Sequence, residues 1–168
     1  RAPNRPQATP GGYEPTCPAD QQIQIKTAVF EDGTYEGDAE AAAAVKGYQA
    51  GEKMVLPRLI PLLEGALNSS NANLPEALRQ FESQVSAVVT DADPQIVQTM
   101  TAEFPQDRAV RSREIKATME VTATTIKSNL LKEIHMLLNE RAQQLNADLY
   151  QTWLTKTKER NEKWFSRM

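Results

Sequence analysis

Beyond Pro105 the chain holds no proline, and beyond Gly65 no glycine, so residues 106–168 run 63 positions without either strong helix breaker. Apolar residues recur there at helical spacing: Ile115, Met119, Ile126, Leu130, Ile134, Leu137, Leu145, Leu149 and Trp153 keep close to one face. The pattern predicts one long amphipathic helix, or two joined softly. The softest places are Val121–Ser128, crowded with Thr122, Thr124 and Thr125, and the stretch around Asn139. A heptad is not sustained, so a dimeric coiled coil is not signalled. Unbroken, about 60 residues would span roughly 90 Å, whereas a compact domain of this length has a radius of gyration near roughly 15 Å. Such a helix must bend or meet a partner.

At 168 residues the chain suits one domain plus extensions. Its hydrophobic content of 40% is ordinary for a soluble protein, and no run approaches the roughly 18 apolar residues that cross a bilayer. The net charge of −3 conceals an asymmetry: residues 1–105 carry 7 Lys/Arg against 14 Asp/Glu, and residues 106–168 carry 12 against 8. The two parts attract, which favours docking of the C-terminal element on the rest or on a second copy. With a pI of 5.3 and no concentrated basic stripe, duplex nucleic acid is a poor partner. Cys17 and His135 are the lone members of their types, so an intramolecular disulfide and a multi-Cys/His metal site within one chain are excluded. Cys17 remains open to pairing with another chain in an oxidising compartment.

Residues 1–19 hold five of the ten prolines, which predicts an extended tether. The opening RAPNRPQATPGGYEPTCP lacks the apolar core of a signal peptide and has the composition of a solvated leader left after one is removed. That favours a periplasmic or extracellular setting, although proteolytic trimming gives the same start. Next, Ile23, Ile25, Thr27 and Val29 alternate with Gln24, Lys26, Ala28 and Phe30, as in a strand. Asp32-Gly33 is a favoured hairpin turn, with Thr34–Glu36 as the return. A lone two-stranded hairpin is marginal in water, so it packs on helices or pairs with another chain.

Asp38 reads as an N-cap for a helix over 38–67, in which Gly47 and Gly51 share a face and permit close approach of another backbone. Pro57 and Pro61 predict a kink or division near Lys53–Leu56, followed by a stripe of Leu56, Leu59, Ile60, Leu63 and Leu67. Pro75 opens a helix buried through Leu78, Phe81, Val85, Val88 and Val89. Asp93-Pro94 opens another, buried through Ile96, Val97, Met100 and Phe104, and Pro105 ends it or opens the last helix.

No constellation points to specific chemistry. Glu31, Asp32, Glu36 and Asp38 flank two glycines but lack the spacing of a calcium-binding EF-hand loop, and a turn followed by an N-cap accounts for them. Asp91 and Asp93 tempt as a carboxylate pair, yet Asp93 already caps a helix. His135 lacks an acid three or four residues away and reads as a boundary residue of an amphipathic helix. The chain ends in TKTKERNEKWFSRM, where Lys156, Lys158, Arg160, Lys163 and Arg167 accompany Trp164 and Phe165. That tail suits a solvated helix end, a neighbouring protein or an anionic membrane surface.

The expected fold is mainly α: a three- or four-helix bundle with a long C-terminal helix, a short N-terminal β segment and a Pro-rich leader. Its divisions are 1–20 leader, 21–37 strand or hairpin, and 38–168 helical domain. The expected function is a non-enzymatic structural or interaction subunit in an assembly of other protein chains, without cofactor or metal. Ile23, Ile25, Val29 and Phe30 are the expected strand contacts, and Trp153, Trp164 and Phe165 the helical ones. The rival is a sensing or carrier bundle holding a small molecule near Gly47, Gly51 and Met54. An all-α enzyme without a local motif is a third possibility.

Overall fold

The structure, a computed structural model, describes residues 24–30, 34–68, 73–139 and 146–165. The leader, Cys17, Ile23 and the turn at Asp32-Gly33 lie outside the described residues. Among those described, a short antiparallel pair, β1 (Thr27–Val29) and β2 (Tyr35–Gly37), precedes five helices: α1 (Ala39–Asn68), α2 (Leu74–Ser86), α3 (Pro94–Thr101), α4 (Arg108–Asn139) and α5 (Ala147–Phe165). The mainly α architecture is as expected. The helix count rises to five because the C-terminal segment divides between Asn139 and Ala147, near the second of the two soft places. The threonines at 122, 124 and 125 lie within α4, where tertiary packing of the helix outweighs their modest propensity.

The hairpin register places Val29 opposite Tyr35 and Thr27 opposite Gly37. Gly37 has φ +99, and a Cβ there would lie 2.3 Å from the carbonyl oxygen of Lys26, so only glycine fits. The strand exits directly into α1, whose Ala41 N–H donates to the Asp38 carboxylate at 2.8 Å. Three other starts are built alike. Asn73 accepts from Glu76 N–H, Asp93 from Gln95 N–H, and Asn146 from Leu149 N–H.

Pro57 and Pro61 do not divide α1, which continues for 30 residues through both. Lys53, Pro57 and Pro61 fall one turn apart on an exposed face, so water can take the carbonyls that the missing N–H groups leave unbonded. The opposite face buries Leu56, Leu59 and Leu63 completely.

α4 is the element on which α1, α2 and α3 converge, while α5 packs on α1. At the α1–α4 seam a Cβ on Gly47 would sit 2.8 Å from Thr118 Cβ, and one on Gly51 2.7 Å from the Met119 carbonyl oxygen. The two glycines therefore bring the backbones together, as their spacing implies. α2 stops at Ser86, short of the expected Val88 and Val89. The Lys127 ammonium of α4 donates to the carbonyls of Ser86 at 2.7 Å and Val88 at 2.8 Å, and Arg58 of α1 donates to that of Val89 at 2.6 Å. These cations satisfy the carbonyls at a helix end that has no basic residue of its own in its last turn.

Three further readings need correction. α3 ends at Thr101, so Pro105 lies in the connection, and α4 starts after Asp107, whose φ is 55. Ile96 is exposed and Val97 carries the burial of α3 instead. On α5 the buried line is Tyr150, Leu154, Thr157 and Asn161 rather than Leu149 and Trp153. That is a rotation of one residue, which follows because α5 packs chiefly against α1 and not as a continuation of the α4 stripe.

Candidate functional site

The residues expected to meet partners divide between two ends of the described chain. At the hairpin, Phe30 N–H donates to Thr34 C=O at 2.9 Å, and Thr27 Oγ1 donates to the carbonyls of Glu36 and Asp38. Val29 turns toward the core and packs on it with Tyr35. Ile25 is 82% exposed and Phe30 47% exposed. Alternation separates Val29, used internally, from Phe30, whereas Ile25, expected on the side of Val29, precedes β1 and faces solvent. Ile23 lies outside the described residues.

Sequence reasoning missed what anchors this hairpin. The Tyr35 and Phe104 rings stack with centroids 5.1 Å apart. The Lys46 ammonium lies 5.9 Å from the Tyr35 centroid and 5.4 Å from that of Phe104, and it pairs with the Glu103 carboxylate. Lys46 is buried, yet its stem and charge are both accommodated. Three remote segments thus meet around one cation. A signal did exist: Lys46 falls between Ala42 and Ala50 at spacings of four, on the face those buried alanines define.

At the other end, Trp153 is taken up within the molecule. Its Nε1–H donates to Glu133 at 3.1 Å, and its ring meets Phe81 edge-on at 6.2 Å. Arg160 donates to the second oxygen of the same Glu133 carboxylate at 2.9 Å. Trp164 and Phe165 remain 39% and 43% exposed. Trp164 borders a groove of about 410 Å³ floored by Leu59, Ile126 and Leu130. Of the tail's cations, Lys158 sits between Glu162 at 2.7 Å and Glu64 at 3.4 Å, and Arg160 is held by Glu133. The hydrogen bond to Glu162 raises the Lys158 pKa against the opposing effect of burial. A free basic surface for anionic lipid is thereby reduced.

The other constellations resolve locally. Asp38 and Asp93 serve as caps. His135 is exposed and pairs with Glu82 of α2, a partner 53 positions away that local spacing could not supply. Tyr48 donates to Glu52 one turn on. This bond chiefly, then burial and the carboxylate charge, raises the phenol pKa. Gly47, Gly51 and Met54 offer the rival reading no room, because the glycines lie against α4 and Met54 is buried in the core. Among the described residues, no group of three or more His, Cys, Asp or Glu is placed to hold a metal ion, and no helix is long and apolar enough to cross a membrane.

No protein-family model, curated protein or solved structure matches the chain.

Proposed function

We propose that the chain is a non-enzymatic structural or protein-interaction subunit that works within a larger assembly. Its contacts are the N-terminal extended segment with the hairpin and the end of the C-terminal helix. The observation that carries this reading is the pairing of exposed apolar side chains at two anchored ends: Ile25 and Phe30 beside β1, Trp164 and Phe165 at the close of α5. Exposed large aromatics on rigid elements are typical contact residues. The short sheet leaves edges suited to strand addition. One earlier support falls away. The C-terminal segment folds as two helices, with α5 against α1, so overhang of a single rod no longer argues for a partner.

Light scattering on the full chain across a concentration series tests the proposal, with residues 1–23 followed by NMR. The expected result is a mass above the monomer, or capture of a partner, lost in Ile25→Asp/Phe30→Ser and in Trp164→Ala/Phe165→Ala. A monomer at high concentration whose leader tumbles freely, with neither pair of substitutions changing any association, would sink it. We assign the chain to an exported setting on the leader's composition, which protease accessibility in fractionated cells tests.

A further inference from the structure

The hairpin has an edge that the fold leaves open. Asp38 N–H donates to Lys26 C=O at 3.1 Å, and Phe30 N–H donates to Thr34 C=O at 2.9 Å. In an antiparallel ladder, bonded pairs alternate with unbonded ones. With Ala28 opposite Glu36, Lys26, Ala28 and Phe30 therefore aim their backbone groups at β2. Ile25, Thr27 and Val29 aim theirs outward. Among the described residues, no hydrogen bond reaches those outward N–H and C=O groups. The far edge of β2 offers less, because β2 ends at Gly37 and the chain passes straight into α1, whereas further chain precedes β1.

Two features make this edge complementary to itself. Ile25 falls by alternation on the side of Val29, which packs on the core, yet Ile25 is 82% exposed. On the opposite side, Lys26 and Glu36 are both exposed, and neither side chain has an ion-pair partner among the described residues. The edge thus carries an uncovered apolar side chain and both halves of an unmade ion pair.

We propose that two copies of this chain pair through β1, antiparallel, with Thr27 opposite its own counterpart. This rests on the assembly reading above and names the partner as a second copy. The outward groups of Ile25, Thr27 and Val29 then bond across the two-fold axis. Each Ile25 stands opposite the partner's Val29 and continues the apolar side of the sheet. Each Ala28 has Glu36 on one flank and the partner's Lys26 on the other. Neighbouring strands lie about 4.8 Å apart, so the backbones that bear the two charges are about 10 Å apart. Two extended side chains close that gap over the small Ala28, and no like charges stand opposite each other. Pairing centred on Ala28 would instead set Lys26 against the partner's Phe30. The edge is short, so the dimer is weak and concentration-dependent.

The test uses the full chain, by sedimentation equilibrium and amide exchange across a series reaching about 1 mM. A dimer is expected, in which the amides of Ile25, Thr27 and Val29 slow most as concentration rises. Lys26→Glu and Glu36→Lys should each weaken it at least about tenfold, because both attractive pairs become repulsive. Mixed in equal amounts, the two variants should recover the parental affinity, since the mixed dimer restores both pairs of opposite charge. The proposal is overturned by a monomer throughout the series, by edge amides that ignore concentration, or by a mixture no tighter than either variant alone. A dimer kept in Lys26→Glu but lost in Trp164→Ala/Phe165→Ala also overturns it, and in that case the assembly reading stands without it.

Discussion

The α1–α4 seam and the hairpin end of the molecule are held by opposite means. At the seam almost nothing intervenes: Gly47 and Gly51 let the backbone of α1 lie against Thr118, Met119 and Thr122. At the hairpin, one long cationic side chain lies beside two stacked aromatic rings and ends on a carboxylate. The first joint tolerates no added atom. The second depends on a single side chain being present. Contact made by subtraction offers salt nothing to screen, whereas contact made through a charge does.

The sharpest way to break that contrast is Gly51→Leu. Its Cβ alone would fall 2.7 Å from a backbone oxygen that cannot yield cheaply. A loss of about 3 kcal/mol or more is expected in chemical denaturation, and an unchanged midpoint would show the helices to be further apart. Next comes Lys46→Met, which keeps most of the stem and removes the charge. Without its cation the ring pair and Glu103 lose a shared partner, and about 1–2 kcal/mol should go. Amide exchange should rise at Thr27–Val29 and Tyr35–Gly37 first. Equal protection in both proteins would mean that the stacked rings hold the hairpin unaided.

Gly65→Ala sharpens the comparison from the other side. It lies in the same helix as Gly51 but faces open space, so the change should stabilise by about 0.5–1 kcal/mol. A destabilisation would reveal a hidden contact. The smallest effect is that of Tyr48→Phe. The folded pKa of Tyr48 is raised, so its bond to Glu52 contributes fully below the unfolded value of about 10 and is lost as pH climbs through the folded one. The stability difference between parent and variant should therefore be constant at neutral pH and shrink at high alkalinity. A difference that grows with pH would contradict the assigned bond.

What the sequence disclosed follows the same division. The starts of α1, α2 and α3 were legible because Asp38, Pro75 and Asp93-Pro94 act on their own neighbours. The glycine pair was legible because its spacing repeats that of the helix. The partners of Lys46, Glu133 and His135 were not, because each lies in a segment 20 or more residues away. The burial of α5 was misjudged by one position for a related reason. Leu149 and Trp153 continued the apolar stripe of α4, but the neighbour that decides which side of α5 is covered is α1. Of the expected contact residues, Ile25, Phe30, Trp164 and Phe165 lie at the surface, while Val29 and Trp153 are engaged within the chain. Apolar patterning alone does not distinguish the two fates.

The carbonyls of Ser86, Val88 and Val89 find their donors in Lys127 and Arg58, not in adjacent residues. A nascent polypeptide consequently leaves the close of its second helix open until some forty further residues have been made and have docked. That part of the molecule cannot mature piecemeal. Its amides and those around Lys127 should exchange with solvent in a common opening event, and the third helix, moored to the same connection, should come loose with them.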